Sequence, residues 1–182
     1  MDQSNSKIHL SACIIARNEA RTIERAIKSL GFADEILVLD SHSTDATADL
    51  AEKAGARVHR ADWRGFAVQR NRCLDLVHGD WVFFLDADER ASEALGETLK
   101  KISRETLSAH PNCYSIKRIE YFLGKELKYG PGNPSFQWRF FKRQGVRFEG
   151  EVHEYPKFEG DVGAIHDKSI EHWPDLNIER FL

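Results

Sequence analysis

From Ile8 to Arg104 the chain alternates short apolar runs with stretches in which apolar residues recur every three or four positions. The runs predict strands at Ile8–Ala16, Glu35–Leu39, Ala56–Arg60 and Trp81–Glu89. The helical spacings predict a helix after each strand. The first carries Ile23, Ile27 and Leu30 on one face and stops at Gly31; the second turns Ala46, Leu50 and Ala54 inward and stops at Gly55. The third runs from Phe66 to Val77 with Phe66, Cys73, Leu74 and Val77 on one side; the fourth, from Ser92 to Ser103, uses Leu95, Leu99 and Ile102. Strand followed by helix, repeated four times, predicts an α/β fold with a doubly wound, mostly parallel sheet and right-handed crossovers. Trp81-Val82-Phe83-Phe84-Leu85 has no polar alternation, as a central strand buried on both faces requires.

Beyond Pro111 the helical spacing stops. Tyr114–Tyr121 reads as a strand, Gly124-Lys125 as a turn and Glu126–Tyr129 as the partner strand. Gly130 to Pro134 reads as a loop, and Gln137–Lys142 and Ala164–His172 as further strands. A mixed, partly antiparallel C-terminal half is therefore expected within a single domain, with the halves at about 8–110 and 111–182. Pro174 to Leu182 reads as a helix just beginning, which sets the expectation that the chain is cut short there.

A length of 182 residues is enough for a substantial core, and 41% hydrophobic with 30% charged residues is ordinary for a soluble domain. A net charge of −3 points by itself to no polyanionic partner, and no motif for nucleic acid accompanies the basic residues. No apolar run reaches the roughly 18 residues of a membrane span. Met1 to Ser6 lacks a basic-then-apolar leader, so the expected location is cytoplasmic. Cys13, Cys73 and Cys113 have no metal-binding spacing and are expected to be reduced and mostly buried.

The candidate chemistry lies at strand ends. If the central strand stays extended, Asp86 and Asp88 point the same way from its C-terminal tip, where ligands of open α/β sheets bind. Two hard carboxylates there suit Mg²⁺ or Mn²⁺ and, through the metal, phosphate. The plain alternative is two aspartates that end a strand and cap the next helix. Asn18 and Glu19 follow the first strand and Asp40 ends the second, with Ser43 just beyond; helix capping is the plain alternative for Asn18 and Ser43. Arg70 either meets phosphate or is a solvated helix charge, and His172 is either a core or a ligand histidine.

Taken together, Ala16-Arg17-Asn18-Glu19, Asp40-Ser41-His42-Ser43-Thr44-Asp45, Gln69-Arg70-Asn71 and Asp86-Ala87-Asp88 resemble glycosyltransferase family 2. Trp138-Arg139-Phe140-Phe141 and Glu151-Val152-His153-Glu154 resemble its branch of lipopolysaccharide core β-1,4-glucosyltransferases. The chain departs from many members at Ala16-Arg17-Asn18-Glu19, where those have a proline. The resemblance implies the GT-A fold, a UDP-sugar donor (UDP-glucose above all) and Mn²⁺ or Mg²⁺. It implies nucleotide-sugar contacts at Ala16, Asn18, Glu19, Asp40, Ser43, Arg70, Asn71, Asp86 and Arg139. Asp86 and Asp88 are the expected metal ligands, with His153 either a third ligand or a group behind them. Transfer needs a base for the acceptor hydroxyl, for which Glu151 and Glu154 are candidates and Glu154 is favoured. Asp88 and Glu154 are thus the expected catalytic pair.

Between Lys117 and Arg147 stand Lys117, Arg118, Lys125, Lys128, Arg139, Lys142, Arg143 and Arg147 against Glu120 and Glu126. A basic acceptor half fits an anionic glycan or glycolipid, reached by peripheral contact with the cytoplasmic face of the inner membrane. Tyr121, Phe122, Tyr129, Phe136 and Trp138 would be stacking surfaces for sugars or simply core. Rival readings are a phosphotransferase of the haloacid dehalogenase type, a nucleotidyltransferase, and a non-catalytic module that binds nucleotide sugars or glycans.

Overall fold

In the computed structural model, which describes residues 9–128, 133–150 and 154–174, the four apolar runs form the parallel half of one sheet. They are β1 (Leu10–Ala16), β2 (Glu35–Asp40), β3 (Arg57–Arg60) and β4 (Trp81–Phe84). Between and after them come α1 (Ile23–Lys28), α2 (Thr47–Lys53), α3 (Phe66–Leu76), a short strand β5 (Glu89–Ala91) and α4 (Glu93–Arg104). The second half is made of β6 (Cys113–Phe122), β7 (Lys125–Glu126), β8 (Ser135–Lys142), β9 (Arg147–Glu149), β10 (Tyr155–Lys157) and β11 (Val162–His172). Sheet order is β3-β2-β1-β4-β8-β6-β11-β5, with β7 paired to β6 and β9–β10 forming a separate ribbon.

Strand order reverses at β1, which pairs in parallel with both β2 and β4. Right-handed crossovers in opposite directions from β1 put helices on opposite faces. Thus α1, α2 and α4 cover a core containing Ile14, Ile27, Leu95 and Phe83, while α3 covers Cys13, Leu37, Phe84 and Phe141 on the other side. A crevice opens at such a reversal, beyond the C-terminal ends of β1 and β4. Strand β8 then runs antiparallel to β4, and β6 antiparallel to β8, so β6 points the same way as β4. Trp81 stacks on Phe140 at 4.5 Å, joining the two halves. This is the mixed second half that the short strands predict.

Several expectations fail locally. Helix α2 buries Thr47, Ala48 and Ala51, while Ala46 is exposed. Helix α3 buries Gln69 and Arg70 beside Ala67, Cys73 and Leu74, and leaves Phe66 48% exposed. The hairpin turn falls on Leu123-Gly124, not Gly124-Lys125. The central strand stops at Phe84, and Glu89 N–H donates to Asp86 C=O at 3.0 Å, closing a turn around Ala87-Asp88. Asp86 and Asp88 therefore do not share one side of an extended strand. All three cysteines are free and buried, as expected. The expected features at Ile8, Tyr129 to Gly132, Glu151, His153 and Asp175 to Leu182 lie outside the described residues.

The register of β1 is fixed at its start by two acids, one just before β2 and one that opens it. Asp34 accepts from the His9 and Leu10 N–H groups, and Glu35 accepts from the Ser11 hydroxyl and the His78 N–H. Burial acts to raise both pKa values; these hydrogen bonds, with Arg104 and Arg57 nearby, outweigh it and hold both carboxyls below their ordinary 3.8 and 4.5. A depressed folded-state pKa adds stability that is present above the unfolded value and lost as pH falls through the folded one. Urea midpoints should therefore drop between about pH 5 and pH 3, and drop less in the Asp34→Asn, Glu35→Gln double variant. At Gly79, a Cβ would meet Ser11 Oγ at 2.5 Å, Ser11 N at 2.7 Å and Trp81 O at 2.8 Å. Backbone cannot give way there, so Gly79→Ala should cost about 1–3 kcal/mol in denaturant unfolding.

Candidate active site

Loops from β1 and β2 meet at one side of the crevice. Asn18 takes the left-handed conformation (φ +57°), its N–H donates to Ser43 Oγ, and its Oδ1 accepts from Thr44 N–H at 2.8 Å. Glu19 N–H donates to Thr47 Oγ1 at 2.7 Å, and Ala20 N–H to Asp45. Asp40 is fully buried at the end of β2, and both its oxygens accept from Ser43. Asn18, Ser43 and Asp40 thus form a latch between two loops, with Asp40 behind Ser43 rather than on the surface. Ala16 is buried in β1, and its C=O accepts from Ser41 N–H. Asn71 spends its amide on the backbone of Phe148, with bonds of 2.9 and 2.8 Å that tie α3 to β9.

The other side of the crevice is a chain of alternating charges. Glu154 pairs with Arg70 (3.3 Å), Arg70 with Asp86 (3.4 Å), and Asp86 with Arg139 through two bonds of 3.0 and 2.6 Å. Arg139 also reaches Glu89 (3.2 Å), whose Oε1 lies 2.8 Å from Arg118 Nε, close but without hydrogen-bond alignment. Arg118 pairs with Glu120 (3.0 Å), Glu120 with His172 Nδ1, and His172 Nε2 with Asp88 (3.0 Å). Signs alternate throughout, so each buried charge faces its opposite.

The electrostatics follow from this order. Burial acts to raise the pKa of Asp86, but Arg139 and Arg70 outweigh it and hold the carboxyl well below the usual range, although 43% of the side chain faces the open cleft. Burial pushes Glu89 up, and the attraction of Arg139 only partly offsets it. Burial lowers Arg139, yet Asp86 and Glu89 reverse the shift and raise it. For His172, burial acts downward while bonds to Asp88 and Glu120 act upward and win, so the imidazole titrates above its ordinary 6.5.

The cleft beside this chain has a volume of about 350 Å³. Arg70, Asp86, Arg139 and Glu154 form its floor and one wall; Phe136, Trp138 and Tyr155 form the rim, each about half exposed. Arg70 is held between the rings of Phe84 and Phe148, 5.2 and 5.6 Å from their centroids. The structure therefore brings Arg70, Asp86, Arg139 and Glu154 together, with Asp88 at the other end of the charge chain. It leaves Asn71 apart. Glu89, Arg118 and Glu120 belong to the network although no sequence motif marks them, and His172, open in its role from sequence, sits on Asp88.

Among the described residues no group of three or more His, Cys, Asp or Glu side chains is arranged to hold a metal ion. The donors nonetheless differ in fitness. Asp86 is committed to two guanidinium groups and is a poor ligand. Asp88 and His172 offer a carboxylate and an imidazole 3.0 Å apart, a pair that suits Mn²⁺ or Mg²⁺ completed by phosphate oxygens and water.

The fold is that of GT-A glycosyltransferases. S. aureus TarS, solved in complex with UDP-GlcNAc, superposes with a TM-score of 0.65 over 91% of this chain and 58% of its own, at 18% identity. The chain belongs to glycosyl transferase family 2, which residues 11–159 match. It is 42% identical over 95% of its length to the uncharacterized glycosyltransferase RC0292 of Rickettsia conorii. It is 35% identical over 93% to the lipopolysaccharide core biosynthesis glycosyltransferase LpsC of Rhizobium meliloti, and spans 65% of the length of either relative. Glucosyl-3-phosphoglycerate synthase from Mycobacterium tuberculosis, solved with Mn²⁺, UDP and glucosyl-3-phosphoglycerate, matches 63% of this chain and 44% of its own at 28% identity, TM-score 0.51.

Removing Arg139 leaves the buried Glu89 with no aligned cation, its remaining hydrogen bond coming from the Asp86 N–H at 3.0 Å. Arg139→Met should therefore cost about 3–5 kcal/mol in urea unfolding, and Arg139→Lys should recover only part, because an ammonium lacks the two-pronged contact.

Proposed function

We propose that the chain is the donor-binding and catalytic part of an inverting glycosyltransferase. It moves a sugar, glucose by the family resemblance, from a UDP-sugar to a hydroxyl of an anionic glycan such as lipopolysaccharide inner core. The observation that carries this reading is the Asp88–His172 pair in the crevice where strand order reverses. The mycobacterial synthase crystallised with Mn²⁺ and UDP supports the donor and metal, and the name of LpsC supports the acceptor.

Asp88 and His172 would hold a divalent ion, which would supply positive charge for the diphosphate leaving group. The chain's own groups do the rest. The Asn18–Ser43 latch sets the loops that receive the nucleoside. Arg139 locks Asp86, which keeps the Ala87-Asp88 turn in place. Glu154, on the cleft wall, accepts the proton of the attacking hydroxyl, and a single displacement inverts the anomeric carbon. Phe136, Trp138 and Tyr155 present ring faces to the acceptor sugar. Both oxygens of Asp86 are taken by arginines, which argues against the rival phosphotransferase, where such a carboxylate must be free to attack.

The test is turnover with a panel of nucleotide sugars and Mn²⁺. Asp88→Asn should lower kcat by about 100-fold or more with the thermal transition kept. UDP-sugar binding without hydrolysis or transfer would mean a binding module, and phosphate release from simple esters a phosphatase. Glu154→Gln at near wild-type rate would remove Glu154 from the mechanism.

A further inference from the structure

The β6–β7 hairpin carries the most exposed large apolar side chain among the described residues. Leu123 at its tip is 76% exposed, with Phe122 at 47% and Leu127 at 40%, and every residue from Phe122 to Lys128 is exposed. Leu123 also has φ +48° and is followed by Gly124 at φ +79°. Two positive φ values define the tight hairpin turn in which Asn-Gly is the favoured pair. A leucine there is unfavourable twice, once for its backbone and once for its contact with water, and no contact within the described chain offsets either.

The surroundings point to what covers it. Lys125 lies opposite Phe122 across the hairpin and Lys128 follows, with Glu126 the one acid between Phe122 and Lys128. The base is braced: Tyr121 stacks on Trp173 at 4.1 Å, and Arg90 covers Trp173 at 4.5 Å. Because β6 points the same way as β4, the tip projects from the end of the sheet that holds Asp88. Glu120, which contacts His172, is three residues from Leu123, roughly 10 Å along a strand. A convex tip with three apolar side chains is too small for a stable protein interface of about 1,200 Å² or more, whereas apolar residues fringed by lysines suit the interface of an anionic bilayer.

We propose that this hairpin docks the chain on an anionic phospholipid surface, with Phe122, Leu123 and Leu127 among the acyl-chain ends and Lys125 and Lys128 at the phosphates. The mouth of the site then faces the membrane, where a lipid-borne acceptor would lie. That last consequence rests on the proposed acceptor, but docking is read without turnover, so either can fail alone.

Co-sedimentation with vesicles of phosphatidylglycerol and phosphatidylethanolamine, against phosphatidylcholine alone, tests it. Wild type should partition onto the anionic vesicles and much less onto phosphatidylcholine. Leu123→Gly should bind on the order of tenfold more weakly, with a thermal transition unchanged or higher because glycine relaxes the positive φ. Lys125→Glu should also weaken binding. No sedimentation of wild type, equal binding to both vesicle types, or undiminished binding by Leu123→Gly would overturn the proposal. So would a dimer, seen by ultracentrifugation, that Leu123→Gly dissociates while vesicles bind nothing.

Discussion

The structure turns on the pairing of Asp86 with Arg139. Two parallel bonds join a carboxylate on the loop after β4 to a buried guanidinium on β8, and the same guanidinium reaches Glu89. A guanidinium and a glutamate as buried as Arg139 and Glu89 persist only when paired and hydrogen-bonded, because an isolated buried charge costs several kcal/mol. The pairing therefore constrains everything near it. It ends β4 at Phe84, bends the chain through Ala87-Asp88, and directs Asp86 and Asp88 to different partners.

This constraint explains why the parallel half needs the antiparallel one. On its own, the crevice beyond β1 and β4 would hold three carboxylates, Asp86, Asp88 and Glu89, within four residues. The second half supplies what balances them: Arg139 from β8, Arg118 from β6, and His172 from the end of β11, with Glu120 of β6 between the last two. Strands far apart in sequence thus build one alternating network, and β8 bridges it to the core through the Trp81–Phe140 stack. Of the acids, Asp88 faces no guanidinium in that network; its partner is an imidazole. That difference is why the proposed metal goes to Asp88 and not to Asp86.

The sequence made the frame readable because apolar runs and helical spacing are local signals. All four parallel strands and all four helices lie where those signals predict, within a few residues. The reading failed where polar residues are buried. Helix α3 turns Gln69 and Arg70 inward and Phe66 outward, since its inner face meets the charge network as well as the core. An extended strand would put Asp86 and Asp88 on one side, and only the salt bridge to β8, fifty-three residues on, shows why the strand ends first. Glu89, Arg118 and Glu120 look like surface charges in sequence, because pairing between distant strands leaves no local pattern. The role of His172, core or ligand, stays open in sequence for the same reason; nothing beside it names Asp88 as its neighbour.

The most direct test is where manganese settles when UDP is added. Mn²⁺ broadens NMR signals of nearby nuclei, so ¹⁵N and ¹³C spectra of the protein titrated with Mn²⁺ and UDP report the site without turnover. The account predicts strongest broadening at Asp88 and the His172 imidazole, and its loss in Asp88→Asn. Broadening centred instead on residues 142–147, beside the opposite end of β4, or undiminished in Asp88→Asn, would contradict it.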